Sequence, residues 1–272
     1  MKLMPVLFCG VMLWLGLSAI APLTPIAIAS PITQAQLDEI TTQWQDSTHA
    51  LADVNCSSCH QNEETQEFVQ APGYESCQSC HEPETETFLL GKHGIRLQEG
   101  LSPLTPALAR LPMHAEASDR PLNCNTCHDV HALQTRPAAV DACLTCHNDT
   151  HSNNYKNSPH ATLFSPAGEL PRPDASAVTC ATCHLPRQTL GETDRVFVNH
   201  NNTYTLLPRD RMVSDVCMNC HGLEHSYNSI FDDDLVEANF DQRPTQEMET
   251  FELIRAFEQQ RSSQNAPETP PE

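Results

Sequence analysis

Basic residues are scarce in this chain. It has 15 lysines and arginines against 35 aspartates and glutamates, a formal net charge of −20 over 272 residues. A nucleic-acid partner needs a basic footprint, so that class is excluded. The surface suits a protein that meets basic patches on its partners. Aromatic side chains are also few, at 6% of the residues, and hydrophobic residues as a whole reach 39%. That is a thin supply for the core of a chain this long. The 21 prolines and 9 glycines disfavour long regular elements. Something other than side chains has to fill the interior.

Cysteine, in contrast, is abundant, with 13 residues. Twelve form six Cys-x-x-Cys pairs, each followed at once by histidine. They are Cys56/Cys59/His60, Cys77/Cys80/His81, Cys124/Cys127/His128, Cys143/Cys146/His147, Cys180/Cys183/His184 and Cys217/Cys220/His221. The thirteenth, Cys9, lies in the hydrophobic N-terminus. Two thiols at this spacing sit on one helical turn and can add across the two vinyl groups on one side of a porphyrin. The histidine that follows points beneath the ring and reaches the iron as proximal ligand. Zinc knuckles also use Cys-x-x-Cys pairs but do not require the histidine. A disulfide framework would not repeat one spacing six times. Histidine fills 14 of 272 positions, so six chance placements after the second cysteine have a probability of order 10⁻⁸. The motif predicts six haem c groups, each held by two thioethers, and six porphyrins would supply the missing interior.

Eight histidines remain once the six proximal ones are set aside. Six haems with histidine on both faces would need six of them. His49 lies just ahead of the first motif and His114 ahead of the third. His131 follows His128 by three residues, and His151 follows His147 by four. Both are too close to cap the far face of their own haem, so each is expected to reach a neighbouring one. His93 sits in Gly91-Lys92-His93-Gly94, where small neighbours would let a porphyrin approach. His160 follows Ser158-Pro159, and His200 falls at a predicted turn. These seven are the distal-ligand candidates; His225, four residues after His221, is the least favoured. Methionine is the competing axial ligand. Met113 and Met212 could serve, whereas Met218 lies inside an attachment loop and reads as packing. No motif ends in lysine.

Residues 1–29 read as an export signal. Lys2 precedes an apolar run from Leu3 to about Leu23, and Ala27-Ile28-Ala29 offers a cleavage site before Ser30. An uncleaved anchor is the alternative, since the run is just long enough to span a bilayer. Either reading puts the cysteines in the periplasm or elsewhere outside the cytoplasmic membrane, where c-type haem is attached. Residues 30–261 are expected to form a single hexahaem domain. It should be mostly α with little strand, its short helices and loops wrapped around a stacked haem array. The polar, Pro/Glu-rich tail at 262–272 is expected to be disordered. Within the domain, a helix is predicted over residues 30–50, with a Thr33/Gln36 capping box, an Ile32/Leu37 staple and Leu37, Ile40 and Trp44 on one face. A small hairpin is predicted over Arg195–Leu207, turning at Asn201-Asn202, with Tyr204 to Leu206 returning against Val196 and Val198. A last helix is predicted over residues 245–261, with Met248, Phe251, Ile254 and Phe257 three apart. The internal repeat is the attachment unit itself, in two close doublets and a looser third pair.

The chain resembles the multihaem c-type cytochromes related to hydroxylamine oxidoreductase and pentahaem nitrite reductase. The likeness rests on the six motifs across residues 49–225. It is sharper where Cys143-x-x-Cys146-His147 is followed by His151, Tyr155 and Ser158-Pro159-His160, and in Thr179-Cys180-Ala181-Thr182-Cys183-His184. The resemblance implies haems stacked in parallel and perpendicular pairs, with His151 and His160, and by extension His93 and His131, as distal ligands. The lysine-ended catalytic motif of the nitrite reductases is absent. None of the tyrosines Tyr74, Tyr155, Tyr204 and Tyr227 is assigned the cross-linking role found in hydroxylamine oxidoreductases.

With histidine on both faces an iron has no open position, and the expected function is electron transfer. Its partners would be redox proteins, a membrane quinol dehydrogenase or a periplasmic reductase. The runner-up is an oxidoreductase acting at one open haem on a small nitrogen or sulfur compound such as nitrite, hydroxylamine or tetrathionate. Arg187 or Lys156 could hold the anion there, but the acidity of the chain works against anion binding. Self-association through stacked haems is a third possibility.

Overall fold

The computed structural model describes residues 32–132, 135–163, 178–204, 206, 208–239 and 249–264. The export signal read at 1–29 lies outside the described residues, as do 265–272 of the expected tail. The described chain is mostly helical, with a single two-stranded sheet. Apart from Gln34–Gln45 and Glu249–Gln264, no described helix exceeds nine residues. No described helix is long and apolar enough to cross a membrane.

Isolated helices this short are marginal in water, so each needs a cap or a tertiary contact. The Gln34–Gln45 helix opens on the expected capping box. Thr33 accepts from the Gln36 backbone, and the Gln36 side chain accepts from the Thr33 backbone. It then stops earlier than predicted. Ser47 is buried and caps a new turn, Thr48–Leu51, so His49 arrives on a separate helix. Leu37 stays 47% exposed and the helix buries no residue. Its hold on the fold runs through Trp44, whose indole N–H donates to the Val54 carbonyl at 3.0 Å.

The predicted hairpin needs correcting. Val196–Val198 is a strand, but its antiparallel partner is Arg187–Thr189, upstream, and not Tyr204 to Leu206. The turn lies between Leu190 and Arg195, where Gly191 takes a positive φ of 56°. The Asn-Asn segment fails as a hairpin turn because its side chains capture the backbone. Asn199 Oδ1 accepts from Asn201 N at 2.9 Å, and Asn201 Oδ1 accepts from Thr203 N and Tyr204 N at 3.1 and 2.9 Å. Those amides are no longer free for a ladder.

The side-chain core is thin. Nine hydrophobic residues are buried among those described: Leu89, Ile95, Ala117, Val140, Cys146, Phe197, Val213, Val216 and Ile254. The two glycines flanking His93 serve chain-to-chain approach. A Cβ on Gly91 would lie 2.9 Å from the His200 carbonyl oxygen, and one on Gly94 would collide with the Phe88 carbonyl. The segments carrying His93 and His200 are thus pressed together. The last helix, Glu249–Gln264, runs past the predicted boundary at 261. It buries Ile254 and contacts the Ile95–Gln98 helix, where Arg96 pairs with Glu249. Met248 lies outside the described residues.

Ile95 is fully buried, at 0% exposure, where these elements meet. Truncation to alanine leaves a cavity with little slack around it. The expected cost of Ile95→Ala is about 2–5 kcal/mol, read as a lower urea midpoint of the haem-loaded protein with unchanged slope. Leu37→Ala, at an exposed site, should leave the midpoint where it is.

Candidate functional site

The site is built from six local units. In the first, third and fifth motifs the residue before the first cysteine is a polar N-cap: Asn55, Asn123 or Thr179. The residue before the second cysteine, Ser58, Thr126 or Thr182, returns the bond to complete a capping box. Each box stabilises a turn too short to stand alone. In the second, fourth and sixth motifs an acidic residue stands two before the first cysteine: Glu75, Asp141 or Asp215. In the second and fourth the first cysteine lies inside a short helix that starts at this acidic residue, Glu75–Gln78 or Asp141–Leu144, whereas in the sixth a separate turn follows the Arg209–Asp215 helix. In four motifs, the histidine amide donates to the carbonyl of the first cysteine: His81, His128, His147 and His221, at 2.9–3.0 Å. In the other two, His60 and His184 close the helix itself. The histidine ring is thus carried one turn beyond the first thiol.

The sixth motif presents its thiols on a turn of a different kind. In the sixth motif the turn is a 3-10 helix, Cys217–Asn219, which ends before Cys220. Val216, at φ −123° and ψ −65°, breaks the preceding Arg209–Asp215 helix, so the motif has to start a turn of its own. Cys220 closes that turn as its C-cap, donating its N–H to the Cys217 carbonyl at 3.1 Å, and it is exposed. Cys80 likewise falls beyond its helix, Glu75–Gln78, and is exposed, as is Cys56. These three thiols are exposed, whereas Cys146 is buried. The Cys220 bond to Cys217 still keeps the two cysteines of the motif together.

Each motif histidine faces a second imidazole from elsewhere in the chain. The pairs are His60–His131, His81–His49, His128–His200, His147–His93, His184–His151 and His221–His160. Their ring centroids are 6.1, 6.2, 6.2, 6.4, 6.1 and 6.1 Å apart. A metal–imidazole bond is about 2 Å, and the ring centre lies about 1 Å behind the ligating nitrogen, so two imidazoles on one metal have centroids about 6 Å apart. All six pairs have the spacing that a six-coordinate iron needs. Among the described residues none of the twelve motif cysteines is in a disulfide, and no three His, Cys, Asp or Glu side chains converge as a zinc site requires. The donor set fits haem c: two thiols and one imidazole on a turn, with a second imidazole opposite.

Several of these rings are fixed through their other nitrogen. His60 Nδ1 lies 2.7 Å from the Val69 carbonyl oxygen, and His200 Nδ1 lies 2.8 Å from that of Val198. His49 bonds the Val130 carbonyl. His147 Nδ1 lies 3.5 Å from the carboxylate of buried Asp149, which also accepts from the Ser152 amide and hydroxyl at 3.1 and 2.8 Å. A carbonyl or carboxylate on Nδ1 holds its proton there and leaves Nε2 free for a metal. Burial, with His147 alongside, pushes His93 down to about 4, and burial with His151 alongside does the same for His184. Both are therefore neutral at ordinary pH, the form that ligates.

The thiols link one unit to the next. Cys77 and Cys124 lie against each other, which lowers Cys77 and raises Cys124. Cys143 and Cys180 do the same, with Cys143 raised and Cys180 lowered. Cys59 lies within electrostatic reach of Cys77 and Cys80, Cys127 of Cys146, and Cys183 of Cys217. Adjacent motifs are thus neighbours in space from the first to the sixth, with Cys220 at the end of the row. The sequence, read alone, had left this order open.

His114, a distal candidate by sequence, faces no motif histidine. Its backbone N–H donates to the Cys146 carbonyl at 2.9 Å, and its Nδ1 lies 3.7 Å from Glu116. It braces the fourth motif from the outside. His225 rests 4.7 Å from His221, too close for two rings on one metal, so it packs against that ring. Met113 pairs through its backbone with His147, and Met212 lies on the helix ahead of the sixth motif. Every described motif histidine already faces an imidazole, so neither methionine is needed as a ligand. Arg187 is exposed on its strand, and Lys156 donates to Asn153 at 3.0 Å. Tyr155 donates to the Val178 carbonyl at 2.9 Å, and burial pushes its hydroxyl up to about 12. Tyr204 lies under the Arg211 guanidinium, and Tyr227 stacks on Phe231.

Residues 48–148 match the cytochrome c3 family. This stretch holds the first four motifs and the partners His49, His93 and His131. Among solved structures, a chain of the reducing HAO-like protein complex of Kuenenia stuttgartiensis is similar, with 17% identity and a TM-score of 0.46. That similarity covers 75% of this chain and 57% of the other, so this chain spans little more than half of its length. No curated protein sequence matches the chain. The family match and the ring geometry together support haem c as the cofactor and electron transfer as its chemistry.

The pairing has a direct spectroscopic consequence. His151→Ala or His160→Ala should open one iron in six, giving a high-spin absorption band and cyanide binding absent from the parent. His114→Ala and His225→Ala should leave the spectrum low-spin. A low-spin His151→Ala protein, or a high-spin His114→Ala protein, would show the pairing to be misassigned.

Proposed function

We propose that this chain is an electron-transfer protein carrying six haem c groups, each with histidine on both faces of the iron. The observation that carries this reading is the set of six imidazole pairs at 6.1–6.4 Å. Haem iron supplies reversible one-electron exchange, and its axial ligands and their hydrogen bonds tune the potential. The residues of this chain would do three things. Paired cysteines, Cys56/Cys59 through Cys217/Cys220, would fix each group covalently. His60, His81, His128, His147, His184 and His221 would ligate from one side, and His131, His49, His200, His93, His151 and His160 from the other. Nδ1 contacts to Val69, Val198 and Asp149 would hold the His60, His200 and His147 rings in the ligating tautomer.

With both axial positions filled, no substrate reaches the iron. That favours a carrier over the nitrite, hydroxylamine or tetrathionate oxidoreductase considered above. The succession of neighbouring thiols supports a row of attachment sites in sequence order. The leader read at residues 1–29 supports work in the periplasm or elsewhere outside the cytoplasmic membrane. The partners would be redox proteins, of the membrane quinol dehydrogenase or periplasmic reductase kind.

Ring orientation separates the sites. The His60 and His131 planes are parallel to within 6°, whereas the other five pairs are crossed at 49–72°. Parallel imidazoles split the two π-type iron orbitals, and crossed ones leave them nearly degenerate. Electron paramagnetic resonance of the oxidised protein should show one rhombic low-spin centre among strongly anisotropic ones. The double variant Cys56→Ser/Cys59→Ser should lose the rhombic signal alone. Reductive titration should take up six electrons per chain. A persistent high-spin centre in the unaltered protein would overturn the carrier reading.

A further inference from the structure

The charge of this chain is unevenly placed. Between Ile32 and Gly91 there is no lysine or arginine, against eleven aspartates and glutamates. That segment holds the first two motifs. Residues 61–68 fold back tightly on His60. Gln61 pairs with Phe68, Asn62 N donates to the Glu67 carbonyl at 2.9 Å, and Gln66 takes a positive φ of 59°. Two bonds lock the loop to the histidine itself: Val69 N to the His60 carbonyl at 2.6 Å, and Val69 O to His60 Nδ1 at 2.7 Å. The loop presents Glu63, Glu64 and Glu67, all exposed. At its base the Phe68 ring is 74% exposed and lies parallel to the His60 imidazole, with centroids 5.2 Å apart. Leu51, at 81%, is the other most exposed large apolar side chain described.

We infer that this loop is the docking face for a small basic redox protein, one whose exposed cofactor edge is ringed by lysine or arginine. The inference rests on the electron-transfer reading above. Three carboxylates without a nearby cation in the sequence attract and orient such a ring, and charge pairing of this kind acts mainly on the rate of encounter. Phe68 gives the apolar contact at the centre, where a dry patch inside a charged rim is what a short-lived complex uses. Because the loop is bonded to His60, the partner is guided to the axial ligand of the first motif. The far end of the row is also acidic, but there Arg209 already donates to Asp233 at 2.8 Å and to the Ile230 carbonyl at 3.2 Å.

The test uses the haem-loaded full chain with a small lysine-rich cytochrome c as probe. Stopped-flow mixing gives the second-order rate of electron exchange, and amide shifts of the probe report complex formation. Glu63→Gln/Glu64→Gln/Glu67→Gln should lower the rate about tenfold at low ionic strength and flatten its salt dependence. Phe68→Ala should lower the rate while keeping the salt dependence. Asp232→Asn/Asp233→Asn/Asp234→Asn should change neither. An unaltered rate in the glutamate triple, or the same loss in the aspartate triple, would overturn the docking face. Amide shifts that depend on the three glutamates without any electron exchange would uphold the face and overturn the electron-transfer reading.

Discussion

One constraint governs this molecule: two imidazoles, distant in sequence, must come within about 6 Å on a common axis, six times over. Each motif is local, a single turn closed by a capping box or a flanking helix. Each opposing histidine is not. His131 returns to the first motif and His200 to the third, so every pair closes a long loop. Closing such loops costs entropy that grows only slowly with length, but the helices are short and the apolar core holds only nine buried residues among those described. Side-chain packing of that size does not hold a chain of this length. Coordination at the proposed haem centres would, with the polypeptide acting as a set of connectors between ligands.

That division explains what could be read from sequence. The Thr33/Gln36 capping box, read from the sequence, depends on residues three apart; the boxes at Asn55, Asn123 and Thr179 have the same spacing but came to light only in the structure. The exclusion of His131 and His151 from their own motifs also follows from spacing, and both do face other motifs. Choosing between His114 and the other candidates was beyond local reasoning. His114 stands near a motif and is anchored to Cys146, yet its ring faces no motif histidine, because only tertiary placement decides which imidazole lies opposite. The exposure of Cys220 was hidden for the same reason, since its motif has the same spacing as the other five. The hairpin was misread on related grounds. Asn201-Asn202 has good turn chemistry, but Asn201 Oδ1 takes the Thr203 and Tyr204 amides and Asn202 Oδ1 accepts from the distant Lys92 N–H, and the strand Val196–Val198 pairs on its other side.

The order of the units was illegible too. It is written in contacts such as Cys77 with Cys124 and Cys143 with Cys180, between residues separated by whole loops. Once seen, it has a rule. An odd motif meets the next even one through its second cysteine, and an even motif meets the next odd one through first cysteines. The local structure differs in step with it: the odd motifs carry capping boxes and the even ones do not.

The electrostatics along that row are not uniform. The first two motifs lie in a segment with carboxylates and no cation. Lys92, by contrast, stands within reach of His93 and His184, near the middle, in surroundings that disfavour its own charge and beside Arg110. A positive charge held in low dielectric favours an added electron nearby, and carboxylates oppose it. The Nδ1 partners grade the sites further. A carbonyl serves His60, His200 and His49, whereas buried Asp149 lies beside His147 and would make that imidazole a stronger donor to a bound iron, favouring its oxidised state. The fourth site therefore feels Lys92 through His93 on one face and Asp149 through His147 on the other, and the two effects oppose. Six identical attachment motifs thus specify six different environments, and the differences come from residues that no motif contains.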